Sequence, residues 1–201
     1  MTAKRSSRQR IYRRRRIAAY VLLSVTALLV VLSFGIFGTQ PSTALQGDQL
    51  GQDGSETAAQ YLERAEASLA QADEPTYALV GFHTALSPED TAEVLRSVQR
   101  MDAIIIGLAA PVAVPEPTAG KDRADVITTV LQRVAHAAGD GGETPTQVDA
   151  AVVYSRGADL RALAADPRVK TVEAAPADAA WGSFGVRPPS NAQHRAHRKE
   201  R

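Results

Sequence analysis

Residues 148–173 read VDAAVVYSRGADLRALAADPRVKTVE. The apolar run from Val148 to Tyr154 predicts a strand. Ala158 to Ala165 then has helical spacing, with Leu160 and Leu163 turned inward, and Asp166-Pro167 ends it because proline cannot continue the hydrogen-bond ladder. Val169 to Glu173 predicts a further short strand. The link between helix and strand is only a few residues long, which suits a compact split β-α-β arrangement.

The same alternation continues toward the N-terminus. Residues 102–108 (DAIIIGL) form a second apolar run, continuous enough to predict burial on both faces of a sheet. Residues 77–82 (YALVGF) predict the first strand. Between them Ser87-Pro88-Glu89-Asp90 marks a helix start: a capping hydroxyl, a proline at the first helical position, and acids beside the positive end of the helix dipole. Val94, Leu95 and Val98 supply its buried side. A longer helix is predicted over residues 123–138, with Val126, Ile127, Val130, Leu131 and Val134 on one side and Gly139 as its stop. Residues 110–120 (APVAVPEPTAG) contain Pro111, Pro115 and Pro117, so they belong to an extended loop or sheet edge rather than an element interior.

Strand, helix, strand, helix, strand, helix, strand predicts one layered domain over residues 76–187, helices against a mostly buried sheet. The expected fold class is α+β: a four-stranded, ferredoxin-like α/β sandwich. Residues 176–189 carry Trp181, Phe184 and Val186 and are expected to pack back onto it. Residues 188–201 form a polar, basic tail of disordered composition. Residues 55–73 predict a helix capped by Ser55, with Tyr61, Leu62, Ala65 and Leu69 as a thin apolar stripe, the pattern of a stalk or edge helix. Residues 39–54 have linker composition.

The first 38 residues are different. Residues 1–16 hold eight basic side chains and no acidic one, and residues 17–38 (IAAYVLLSVTALLVVLSFGIFG) carry no charge at all. A helix of that length reaches about 33 Å, enough for a hydrocarbon core of about 30 Å. An N-terminal transmembrane helix is therefore expected. Arg13, Arg14, Arg15 and Arg16 abut it, whereas residues 39–54 lack Lys and Arg. The positive-inside rule then puts the N-terminus in the cytoplasm and the C-terminal domain outside, as a single-pass protein of the cell membrane. The competing reading is a cleaved signal peptide, with Ser42-Thr43-Ala44 before Leu45 as the cleavage signature; the apolar stretch is longer than a typical signal core. The arginine cluster has the simplest explanation as a topogenic signal touching anionic headgroups of the lipid bilayer, not as a reader of specific nucleic acid. Past the apolar segment 15 basic residues face 22 acidic ones, so the outer part is net acidic although the whole chain is at +1.

Residues 160–173 (LRALAADPRVKTVE) resemble the end of subtilisin-type propeptides and their I9-like inhibitor relatives, where a helix, a D-P-x-V turn and a V-E strand close a ferredoxin-like fold. Residues 77–89 are similar to that family's opening strand and helix. The resemblance implies that fold, and inhibition or chaperoning of an exported subtilisin-type protease as the alternative function. The layout as a whole is similar to small single-pass membrane proteins of actinobacteria, and the Ala, Val, Asp and Arg bias fits a high-GC genome.

The absence of cysteine excludes disulfides, thiolate metal sites and cysteine nucleophiles. His83 lies four residues before Ser87, but Ser87 is accounted for as a helix cap, and a Ser-His pair needs an orienting group and an oxyanion site besides. His136 falls near a helix C-terminus; His194 and His197 stand in the basic tail without carboxylates to complete a metal site. No D-x-D-x-D-G calcium loop and no phosphate loop is present. These features lead to the expectation of no enzyme, no metal and no cofactor. The favoured function is a membrane-anchored, extracytoplasmic interaction or scaffold module of the cell envelope with a protein partner, its surface drawn from Pro111, Pro115, Pro117, Trp181 and Phe184.

Overall fold

The computed structural model describes Tyr20, residues 48–139 and residues 145–189. The chain divides into two units, Met1–Ala44 and Leu45–Arg201, and the second holds the sheet. Its elements in chain order are β1 (Gln49–Leu50), α1 (Ala58–Ala70), β2 (Thr76–Leu86), α2 (Pro88–Val94) with a 3-10 turn over Leu95–Ser97, β3 (Arg100–Ile105), β4 (Val112–Ala113), α3 (Arg123–Ala138), β5 (Val148–Ser155), α4 (Gly157–Ala164), β6 (Val169–Ala174) and β7 (Gly185–Val186).

Five strands form one sheet in the order β4-β3-β5-β2-β6, every neighbouring pair antiparallel. Two β-α-β units interleave in it. β2 and β3 flank β5, and β5 and β6 flank β2, so each crossover leaves a gap that a strand of the other unit fills. β1 and β7 make a separate two-stranded parallel ladder, Gln49 beside Gly185 and Leu50 beside Val186.

The expected architecture, a transmembrane helix followed by a four-stranded ferredoxin-like sandwich, is corrected on two counts. Among the described residues no helix is long and apolar enough to cross a membrane; residues 17–38, Tyr20 apart, lie outside the described residues, as do Arg13, Arg14, Arg15 and Arg16. The sheet has five strands rather than four. The fifth, β4, is recruited from the proline-rich connection, where Val112 and Ala113 pair with Ile104 and Ala103.

Both faces of the sheet are buried, which is why its strands read as unbroken apolar runs. One face turns Ala78, Val80, Phe82, Met101, Ile104, Ala151, Val153 and Val172 toward Leu69 of α1, Val94 and Leu95 of the α2 region, Ile127 and Val130 of α3, and Leu160 of α4. Burying a side chain such as Phe82 or Leu79 completely stabilises the fold by about 1.5–3 kcal/mol. The opposite face has Tyr77, Leu79, Ala103, Ile105, Ala150 and Val152. Among the described residues no helix covers it; Leu50, Ala175 and Phe184 from the strand-and-loop segments at the two ends of the domain do so.

The helices start where their caps dictate. Ser87 Oγ accepts from the Asp90 amide, and Asp122 with Asp125 closes a reciprocal capping box on α3. α1 is capped by Thr57 with Gln60 rather than by Ser55. The reason is local: Asp53 Oδ1 accepts from both the amide and the hydroxyl of Ser55, which commits Ser55 to the preceding turn. Of the two readings of this segment, stalk or edge helix, α1 has the packing of the second: it buries Tyr61, Ala65 and Leu69 and lies along edge strand β6, where Ser68 Oγ accepts from the Ala174 amide.

Candidate functional site

The helix-free face ends in an aromatic cluster whose parts come from four places in the chain. Strand register sets Tyr77 of β2 beside Tyr154 of β5, and Tyr154 beside Arg100 of β3. Their side chains therefore form one row across three strands, since directly opposed residues share a face. Tyr77 and Tyr154 have ring centroids 5.0 Å apart. The Arg100 guanidinium lies 5.2 Å from the Tyr154 centroid and 5.7 Å from that of Tyr77, within cation–π range. Its Nη2 donates to the Tyr77 hydroxyl at 2.6 Å.

The loop after β6 closes over this row. Phe184, buried, packs 5.4 Å from Tyr77, and Trp181 lies 5.8 Å from Tyr77 and 6.0 Å from Phe184. Trp181 remains 43% exposed. The loop is held by its own bonds: Ala179 N donates to the Pro176 carbonyl and Ser183 N to the Ala180 carbonyl, both at 3.0 Å. The β1–β7 ladder pins its far end.

Asp102 fixes the arginine. The β3–β5 register slips between Met101 and Ala103, so Asp102 is the extra residue of a bulge, a device that re-aims a side chain. Its carboxylate takes the Arg100 Nε at 2.9–3.0 Å. That hydrogen bond, more than any other influence, raises the arginine's proton affinity above its usual value. The Asp102 carbonyl also accepts from Val114 N at 2.9 Å, so the ion pair connects the aromatic row to the proline-rich segment.

Of the residues singled out from the sequence, Trp181 is exposed and belongs to this surface, whereas Phe184 is its buried support. Pro115 is exposed, and Pro111 and Pro117 are half-buried along the β4 edge. Tyr77, Tyr154 and Arg100 were not singled out; they meet only through strand pairing, and the one signal present was an aromatic at each of two strand ends. Ser87 is spent on its cap: besides accepting from Asp90 N, its hydroxyl donates to Asp90 Oδ2. His83 is exposed and its amide donates to the Arg168 carbonyl at 3.0 Å. The His136 ring bonds the Gln132 carbonyl at 2.7 Å, inside its own helix. His194 and His197 lie outside the described residues. Among the described residues no group of three or more His, Asp or Glu is placed to hold a metal ion.

A second polar cluster sits at the opposite edge of the sheet. Glu173 of β6 is buried, accepts from Gly51 N at 2.6 Å, pairs with Arg64 Nη1, and is hydrogen-bonded by the Tyr61 hydroxyl. Arg64 also bonds Glu56 at 2.9 Å and the Gly51 carbonyl at 3.1 Å. Burial raises the Glu173 carboxyl above the usual glutamate value despite these donors, and raises the Tyr61 hydroxyl as well. Nearby, the Ser55 amide and hydroxyl and Arg187 hold the exposed Asp53 down to about 2. This cluster clamps residues 51–56 and α1 onto β6. Its donors and acceptors satisfy one another, so it reads as structural.

Comparison with protein-family models, curated proteins and solved structures finds no match to this chain.

Proposed function

We propose that the chain is a membrane-anchored, extracytoplasmic interaction module of the cell envelope, and that it binds a protein partner through the Trp181 surface. The observation that carries this reading is Trp181 itself, a large indole left 43% exposed on a buried aromatic support. Interface hot spots are enriched in tryptophan, tyrosine and arginine, and here all three meet. The support is rigid: Tyr77 is buried in β2 and Arg100 is locked by Asp102, so little ordering remains for a partner to impose. The uncharged stretch at residues 17–38 and the arginines before it support the membrane attachment and its orientation.

The test is a crosslinked capture of the tagged full chain from native membranes, beside Trp181→Ala and Arg100→Ala. The partner is expected with the parent chain and at least tenfold less with either variant, the loss a hot spot above 1.4 kcal/mol produces. Equal capture by all three, with unchanged circular dichroism, refutes the assignment of the surface.

A second reading, inhibition of an exported subtilisin-type protease, draws on one observation. Residues 157–174 fold as helix, Asp166-Pro167 turn and strand, the order of elements at the end of those propeptides. Titrating the full chain against such a protease tests it: undiminished hydrolysis at excess inhibitor removes it.

A further inference from the structure

The sheet has two edges, and each is closed by a different device. At β6, α1 lies alongside and Ser68 Oγ accepts the outward amide of Ala174 at 3.0 Å. At β4 no element lies alongside among the described residues, and the chain's own prolines occupy the positions that matter. The register pairs Ala113 with Ala103 and Val112 with Ile104, and Val114 N donates to the Asp102 carbonyl at 2.9 Å. Antiparallel pairs alternate between bonded and non-bonded. Residues 112 and 114 therefore turn their backbone groups toward β3, and Ala113, which is exposed, turns its N–H and C=O away from the sheet. The neighbouring positions of the same parity are Pro111 and Pro115, and Pro117 continues the alternate spacing. None of these three has an N–H to offer. One further donor on this side, Met101 N, is taken by Glu116 Oε1 at 2.9 Å.

We infer that Pro111, Pro115 and Pro117 serve to close this edge against strand addition, in particular against the same edge of a second copy of the chain. A free antiparallel edge is a template for pairing with another strand, and proline at its outward positions removes the donors such pairing needs. The flanking side chains make this necessary: Val112, Val114 and Ile104 are β-formers, and Leu108 nearby is 52% exposed. For a tethered chain the hazard is acute, because confinement to one surface raises the encounter rate between copies. The proline row therefore acts as a guard. A partner meets the domain on its face, while the edge stays shut.

The absence of cysteine from the chain allows a direct test. A single reporter, Ala113→Cys, is placed in the full chain, once with the prolines intact and once with Pro111, Pro115 and Pro117 replaced by valine. In a self-paired edge two copies of residue 113 form a bonded pair with Cα atoms about 5.5 Å apart, inside the roughly 4.4–6.8 Å that a disulfide spans. Mild oxidation in membranes is expected to leave the proline-containing chain monomeric and to give a severalfold larger disulfide-linked dimer fraction in the valine chain. Pro115→Val alone, which leaves the other two prolines, is measured beside it with an intermediate increase expected. Circular dichroism establishes which variants are folded. A folded variant whose dimer fraction equals that of the proline-containing chain overturns the inference, and so does strong crosslinking with the prolines in place.

Discussion

Replacing Phe184 by alanine should undock the loop that carries the exposed indole while sparing the rest of the domain. Phe184 is buried against Tyr77 and Trp181 and belongs to the apolar layer on the helix-free face. A buried Phe→Ala change costs about 3–5 kcal/mol. The loop's other attachments lie at its two ends: the short β1–β7 ladder with the Arg187–Asp53 pair at one, and at the other the bond from Ala175 N to the Tyr77 carbonyl at 2.8 Å with the Thr76 hydroxyl donating to the Ala175 and Pro176 carbonyls. The loss therefore falls on a local opening rather than on the whole sheet, whose other face keeps its helices. Trp181 is the only tryptophan, so its emission reports this loop alone. In urea the fluorescence midpoint should fall below that of the parent and its transition should be shallower, because a local opening exposes less surface than unfolding of the whole domain. Far-UV circular dichroism should move much less, so the two probes separate. Coincident transitions in the variant, or an unshifted fluorescence midpoint, refute the claim that Phe184 holds the loop.

Gly157 opens α4 with its Cα against the Ala72 carbonyl, so an added Cβ runs into backbone that cannot yield; Gly157→Ala should destabilise by at least about 1–3 kcal/mol, seen as a lower thermal midpoint, and a neutral effect contradicts this close approach. Because burial raises the folded-state pKa of Glu173, the folded chain binds that proton more tightly than the unfolded one. The linked stability is present below the ordinary glutamate value and lost as pH rises through the raised one. Glu173→Gln should therefore lessen the fall in stability as pH rises above the ordinary glutamate value, and a variant that parallels the parent there contradicts the sign. Ser87→Ala removes the cap of α2 at a cost of about 0.5–2 kcal/mol in chemical denaturation, and no change would mean that the Asp90 amide finds water equally well.

Local signals carried the helices well. The spacing from Val126 to Leu131 and the stop at Gly139 marked α3, and Ser87-Pro88 gave α2 its start; the Asp122 cap of α3 emerges only in the fold. The strands were legible as apolar runs because both faces are buried, but the same uniformity hid which side chain faces which layer. β4 was not legible as a strand: two residues between prolines offer no periodicity, and only pairing with β3 defines them. Glu173 stands at the end of a strand, where an acid ordinarily marks the return to solvent; its burial depends on Arg64, 109 residues away in sequence. The aromatic row is similarly non-local. Tyr77, Arg100 and Tyr154 meet through strand order, and the bulge at Asp102 that fixes the arginine leaves no trace in composition. Trp181 stood out because an indole in a loop is unusual, and the fold supplies what the loop rests on.

The Trp181 surface, and not another part of the domain, is proposed to meet the partner. A photoreactive residue placed at Ala180, exposed beside Trp181, in the full chain in native membranes tests it most directly, with Gln132 on the exposed side of α3 as the comparison. A defined crosslinked species is expected from position 180 that position 132 does not give. A crosslink from position 132 with none from position 180 would contradict it.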